Sequence, residues 1–95
     1  MVVDPCNLIG RRDGQDLAFT RREMDVLQYL YAHTERAVSR EELLRKVWGY
    51  ANARELETRT VDIHIAKLRR KIERDVATPR RLLTVRGAGY RLLPA

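Results

Sequence analysis

Cysteine is nearly missing from this chain. Cys6 is the only one among 95 residues, so no internal disulfide can form. Long apolar runs are missing too: none approaches the ~18 residues that a membrane span needs, and no charged-then-apolar leader opens the chain. These absences fit a cytoplasmic location and no membrane partner. Histidine is scarce. No second ligand stands at helical or finger spacing from His33 or His64, which argues against a metal site. There is no serine–histidine–acid pattern, no glycine-rich phosphate loop and no pair of carboxylates in a plausible cleft. No catalytic set, cofactor or small-molecule substrate is therefore expected.

Apolar residues make up 44% of the chain and charged residues 34%, which is the balance of a globular domain rather than a disordered segment. The length allows one domain with a thin core. The abrupt start of the first strand at Met1 reads as a piece cut from something longer. Charge is divided unevenly. Residues 1–53 carry eight basic and eight acidic side chains, whereas residues 54–95 carry eleven basic against five acidic ones, so the whole net charge of +6 lies in the second part. A one-sided basic field is the footprint of a polyanion binder. A solvated basic surface would have the same composition.

The element order narrows the choice. Residues 1–19 are expected to be β-structure: Val2-Val3 precede the breaker Asp4-Pro5, and Leu8-Ile9 and Leu17-Ala18-Phe19 flank a hairpin signal at Asp13-Gly14. Residues 20–32 predict a helix. Thr20 and Glu23 make a capping box, Phe19 and Met24 a hydrophobic staple, and Met24, Leu27, Leu30 and Tyr31 face the core. Residues 39–48 repeat that design with Ser39 and Glu42 as the box and Val38 and Leu43 as the staple. Leu43, Leu44, Val47 and Trp48 form the apolar face, and Gly49 the terminator. Residues 49–57 form a polar connector. Residues 58–74 predict the longest helix, with Thr58 as its candidate cap. At 100° per residue Val61, Ile65, Leu68 and Ile72 fall within an arc of about 60°, while Arg59, Ile63, Ala66, Lys67 and Arg70 occupy about 100° on the opposite side. One face that packs and one that is basic suit a major groove. Residues 82–93 predict a hairpin turning at Gly87 and Gly89.

Strands, helix, helix, loop, long basic helix and hairpin are the order of an α+β winged helix-turn-helix. Four motifs go further: Phe19-Thr20-Arg21-Arg22-Glu23 with Leu27 and Leu30; Ser39-Arg40-Glu41-Glu42-Leu43-Leu44 ending in Val47-Trp48-Gly49; Arg59-Thr60-Val61-Asp62-Ile63-His64-Ile65 through Leu68-Arg69-Arg70-Lys71-Ile72; and Thr84-Val85-Arg86-Gly87-Ala88-Gly89-Tyr90-Arg91. On these the chain resembles the OmpR/PhoB family of response-regulator DNA-binding domains, over nearly its whole length.

The resemblance implies a single domain over 1–95, with an N-terminal antiparallel sheet, three helices and a C-terminal hairpin. It implies sequence-specific binding to double-stranded DNA, as the transcription-regulating output domain of a bacterial two-component response regulator. Recognition helix 58–74 would enter the major groove and wing 83–93 would reach the minor groove. Residues matching Trp48, Arg59, Thr60, His64 and Tyr90 would meet phosphates. Those matching Asp62, Ile63, Lys67 and Arg69 would lie in or near the major groove, with Arg70 on the same face and Thr84 and Arg86 on the wing. Asp62 is expected to orient Arg59 or a neighbouring base-reading side chain. The family's phosphorylated receiver, with its acidic pocket and βα repeats, has no match here, so this chain is expected not to accept the signal itself. Two copies are expected head to tail on direct repeats, and the loop 49–57 is where some members touch RNA polymerase. Ala66 and Lys67 depart from a frequent arginine. Lysine lacks the bidentate fork that pairs with guanine, so base preference does not carry over from a relative. A protein-docking winged helix, with the basic helix on an acidic partner, is the alternative function.

Overall fold

The structure is a computed structural model, and it describes residues 2–49 and 55–93. Strands β1 (Val2–Asp4), β2 (Ile9–Arg12) and β3 (Gln15–Ala18) form an antiparallel sheet in sequence order. Helix α1 (Arg21–Ala32), the short helix α2 (Arg40–Leu43) and the long helix α3 (Glu55–Ile72) follow, and β4 (Leu82–Val85) pairs with β5 (Gly89–Leu92). This is the expected winged helix-turn-helix.

The local signals explain most element ends. The β2–β3 register leaves Asp13 and Gly14 as a two-residue turn, both at positive φ (54° and 80°), which is the twist a tight hairpin needs. Thr20 and Glu23 make the full reciprocal capping box on α1. At α2 only half of the expected box exists. Ser39 Oγ accepts from Glu42 N–H, but the Glu42 carboxylate turns to Tyr29 and Arg36 instead of the Ser39 backbone. A guanidinium and a phenol outbid one amide. Beyond Leu43 the backbone widens into a π-helical turn, Leu44–Trp48, closed by Gly49 at φ 80° with its N–H on the Leu44 carbonyl.

Two boundaries differ from the sequence reading. The recognition helix starts at Glu55, not after Thr58, and stops at Ile72 rather than at 74. Glu55-Leu56-Glu57 contain no breaker and propagate the helix backwards. Thr58 is therefore a buried residue inside the helix and not its cap. At the other end, Glu73 N–H still bonds the Arg69 carbonyl, and its carboxylate receives the backbone N–H groups of Arg80, Arg81 and Leu82. The connector's residues 50–54 lie outside the described residues.

The core lies between the three helices and the wing. Val61, Ile65, Leu68 and Ile72, the four residues of the predicted stripe, are all completely buried. They pack with Met24, Val26, Leu27 and Leu30 of α1, Leu43 and Leu44 of α2, and Leu82 and Leu92 of the wing. Each such burial contributes roughly 1.5–3 kcal/mol relative to exposure. Val26 belongs to this core although the helical reading of α1 did not include it, and Tyr31, which was included, is only half-buried. An ion pair crosses the same core boundary: Lys71 donates to Glu23 at 2.6 Å, and Glu23 is only 2% exposed. That pairing fixes α1 against α3 and removes Lys71 from the outward basic face.

Candidate nucleic-acid interface

With its apolar stripe buried, α3 has to present the opposite side outward. Arg59, Ile63, Lys67 and Arg70 are all exposed on it, and Ile63, at 54%, is among the few large apolar side chains left in water. An isoleucine flanked by cations on an open helix face offers apolar contact and positive charge together, the combination that suits base edges and phosphates. Ala66 is half-buried beside them.

Trp48 and His64 build one flank. The π-helical turn carries Trp48 toward α3, where its ring meets His64 edge-on at 5.1 Å, and the Arg22 guanidinium sits 5.0 Å from the indole on another side. Arg22 is itself fixed by a 2.6 Å bond to the Val47 carbonyl. His64 Nδ1 lies 2.8 Å from the Thr60 carbonyl oxygen, which can only accept, so Nδ1 is the nitrogen that donates there.

The wing builds the other flank. Its loop, Arg86-Gly87-Ala88, is exposed, and Arg86 stands at the tip. Its base is held in several ways. Val38 and Tyr90 exchange backbone hydrogen bonds of 2.7 and 2.9 Å, which adds a bridge to the hairpin's inner side. Gly89, at φ 133°, passes so close that a Cβ would stand 2.1 Å from the Val38 carbonyl oxygen. Arg69 donates to the Leu82 carbonyl at 3.1 Å and to Thr84 Oγ1 at 2.6 Å, and its guanidinium lies 5.5 Å from the Tyr90 ring.

These contacts tie four residues with expected DNA roles into the fold itself. Arg69 is a tie between α3 and β4, and Thr84 is its acceptor, so both are committed before any ligand arrives. Tyr90 is buried and gives its only hydroxyl proton to Asp62 at 2.7 Å, which leaves none to donate to a phosphate. Burial, and then that hydrogen bond, push its phenol up to about 12. Asp62 does not orient Arg59. Its partners are Tyr90 and Arg40, the latter at 3.0 Å, because the start of α2 and strand β5 both converge on it. The sequence reading gave Arg40 no role. Nothing local marks it, since its partner stands 22 residues away.

A family model described as "Transcriptional regulatory protein, C terminal" matches residues 14–92. The chain belongs to the OmpR/PhoB family of response-regulator DNA-binding domains. It is 41% identical over 81 residues to the transcriptional regulatory protein YvrH of Bacillus subtilis, covering 85% of this chain and 33% of that protein. It thus spans about a third of the length of the curated relatives it matches. Among solved structures it is similar to the RstA DNA-binding domain of Klebsiella pneumoniae in complex with the RstA box, with a TM-score of 0.83 and 30% identity over 97% of this chain and 89% of that one. It is similar also to the DNA-binding domain of CpxR from E. coli, with a TM-score of 0.76 and 32% identity over 95% and 86%. The local geometry singles out one surface: the cationic face of α3 between the Trp48–His64 flank and the wing.

Proposed function

We propose that this domain binds double-stranded DNA at specific sequences, with α3 in the major groove and the tip of the β4–β5 hairpin at the minor groove, as the cytoplasmic output domain of a transcription-regulating response regulator. One observation carries the reading: the face of α3 opposite its fully buried stripe is open, cationic and centred on an exposed isoleucine. Arg59, Thr60, His64 and Trp48 address phosphates and set register. Ile63, Lys67 and Arg70 address base edges, and Arg86 enters the minor groove. Arg69, Thr84, Asp62 and Tyr90 act behind these residues. His64 reaches a phosphate through Nε2 only when that nitrogen also holds a proton, because Nδ1 is committed to Thr60. Two copies lie head to tail on direct repeats, and the connector 49–57 faces RNA polymerase.

Selection of bound duplexes from a random pool, followed by titration at several salt concentrations, tests this. With about six phosphates neutralised, log K should fall with log salt at a slope near −5. Lys67→Ala should cost about 1–3 kcal/mol on the selected site and relax choice at one or two bases, whereas Arg59→Ala should weaken all duplexes alike. Equal losses on selected and random duplex for Lys67→Ala would remove its reading role. The absence of any salt-sensitive binding would favour the alternative, a basic helix docked on an acidic protein. Footprints of a single short site would exclude the tandem arrangement.

A further inference from the structure

The base of the wing, the start of α2 and the middle of α3 meet at one side chain, and that side chain is an acid on a surface otherwise suited to a polyanion. Asp62 uses both carboxylate oxygens. Oδ1 accepts from the Tyr90 hydroxyl at 2.7 Å and Oδ2 accepts from Arg40 Nη1 at 3.0 Å. The backbone converges on the same place. Tyr90 is bridged to Val38, two residues before Arg40, and Gly89 leaves no room there for a side chain.

Stability does not account for the pair. The Arg40 and Asp62 side chains are 42% and 38% exposed, and ion pairs so open to water add little. Base reading does not account for Asp62 either, since a carboxylate with both oxygens engaged has little left for a cytosine amine. What the arrangement does fix is direction. The Val38–Tyr90 bridge and the 2.8 Å bond from Arg91 to the Thr34 carbonyl hold β5 to the segment between α1 and α2, while Arg69 ties only the β4 side to α3. A carboxylate gripped from α2 and from β5 closes the third side. Arg40 also offsets a negative charge that would repel phosphate.

We propose that Arg40 and Asp62 are positioning residues for the wing: they lock the hairpin to α3 at a set angle, so that Arg86 meets the minor groove in the register that α3 imposes in the major groove. This rests on the DNA-binding reading above. The Tyr90 hydroxyl is the tie on the wing side, and its raised phenol keeps it a donor throughout the working pH range.

Two probes read the two grooves separately on one duplex taken from the random-pool selection. Dimethyl sulfate methylates guanine N7 in the major groove, and hydroxyl radical cuts at sugars along the minor groove. Wild-type chain at saturating concentration should protect both. Arg40→Ala and Asp62→Ala should keep guanine protection under α3 and lose most of the sugar protection beside Arg86, with affinity down about tenfold. The double variant should be no weaker than the weaker single variant, because both changes break one device. Arg40→Lys, which keeps a charged donor, should recover a large part of the minor-groove protection. An unchanged unfolding midpoint for Arg40→Ala separates this outcome from misfolding. Minor-groove protection that survives Arg40→Ala, or protections in both grooves that fade in step, would overturn the proposal. A wild-type chain that protects neither groove would instead remove the DNA-binding reading, and the proposal with it.

Discussion

The hairpin Ile9–Ala18 and the hairpin Leu82–Leu92 both pair four-residue strands, yet they are built from different kinds of information. The first is closed by its own turn. Asp13 and Gly14 adopt the left-handed conformation that a two-residue loop requires, and the hairpin rests on the body through half-buried Leu8 and Leu17 and the Arg74–Asp13 ion pair at its tip. The second is held from outside: by Val38, by Arg69, by Asp62 and, at its entry, by the Glu73 carboxylate. Its tip is free and its base is fixed on several sides. A hairpin that only covers the body can be specified locally. One that has to present an arginine at a set distance from a helix needs tertiary anchors, and those anchors fall on residues far apart in sequence.

Adding one methyl group to a turn glycine in each hairpin tests that contrast most directly. Gly89→Ala should be the most damaging change, costing roughly 3 kcal/mol or more, since its Cβ would overlap the Val38 backbone and its φ of 133° disfavours any side chain. Urea unfolding should show a large fall in midpoint, and an alanine variant that unfolds like wild type would mean that the wing is not wedged against Val38. Next in size is Glu73→Gln. Glu73 is 5% exposed and receives three consecutive backbone N–H groups, so exchange of its charged acceptors should cost about 1–3 kcal/mol. Amide exchange at Arg80, Arg81 and Leu82 should rise before that of the α3 core, and uniform acceleration across the domain would contradict a local role for the carboxylate.

The joint between α1 and α2 should respond to acid. Arg36, and then the Tyr29 hydroxyl, hold the Glu42 carboxyl at about 2 against an ordinary 4.5, despite partial burial. The folded-state value is depressed, so the contribution is present above the unfolded value and is lost as pH falls from about 4.5 toward about 2. The effect should be smaller than that of Glu73, because Arg36 is 45% exposed and water screens the pair. Glu42→Gln should flatten the stability profile across that window while leaving its shape at neutral pH. An unchanged acid limb would place the titrating group elsewhere.

The sequence made legible what depends on neighbours a few residues apart. Helical spacing identified the four buried apolar residues described in α3, though not buried Thr58, and the Thr20–Glu23 pattern identified the cap of α1, because both are set within one or two turns. The outward set of Arg59, Ile63, Lys67 and Arg70 followed as the complement of the buried stripe. What stayed hidden involves partners brought together only by the fold: Glu23 with Lys71 across 48 positions, Asp62 with Arg40 and Tyr90, and Glu73 with the backbone beyond the Pro79 loop. Charge patterning along one element cannot say which cations remain outward. Lys71 and Arg69 lie in the same basic run as Lys67 and Arg70, and only tertiary contact separates the anchored pair from the open pair. Leu8, at φ 56°, is a similar case. A leucine gives no local hint of that conformation, and it is held by packing and by the Phe19 N–H on its carbonyl at 2.9 Å.

Gly14→Ala should be the mildest of these changes, and it completes the contrast with Gly89. Nothing lies within 4 Å of a Cβ built at Gly14, so no clash is added and only the left-handed backbone at φ 80° is penalised. For an alanine in that region the cost is about 1 kcal/mol, and asparagine, which tolerates the conformation, should cost less. Because Asp13 already occupies the same region, the β2–β3 register should survive, with cross-strand contacts between Arg12 and Gln15 still visible by NMR. DNA affinity should be untouched, since the turn meets the body at Arg74, beyond the end of α3, and not at the outward face of α3 or the tip of the wing. A loss at Gly14 as large as that at Gly89 would mean that the N-terminal hairpin is anchored by tertiary contacts as firmly as the wing, and the distinction between a locally specified hairpin and a tethered one would fail.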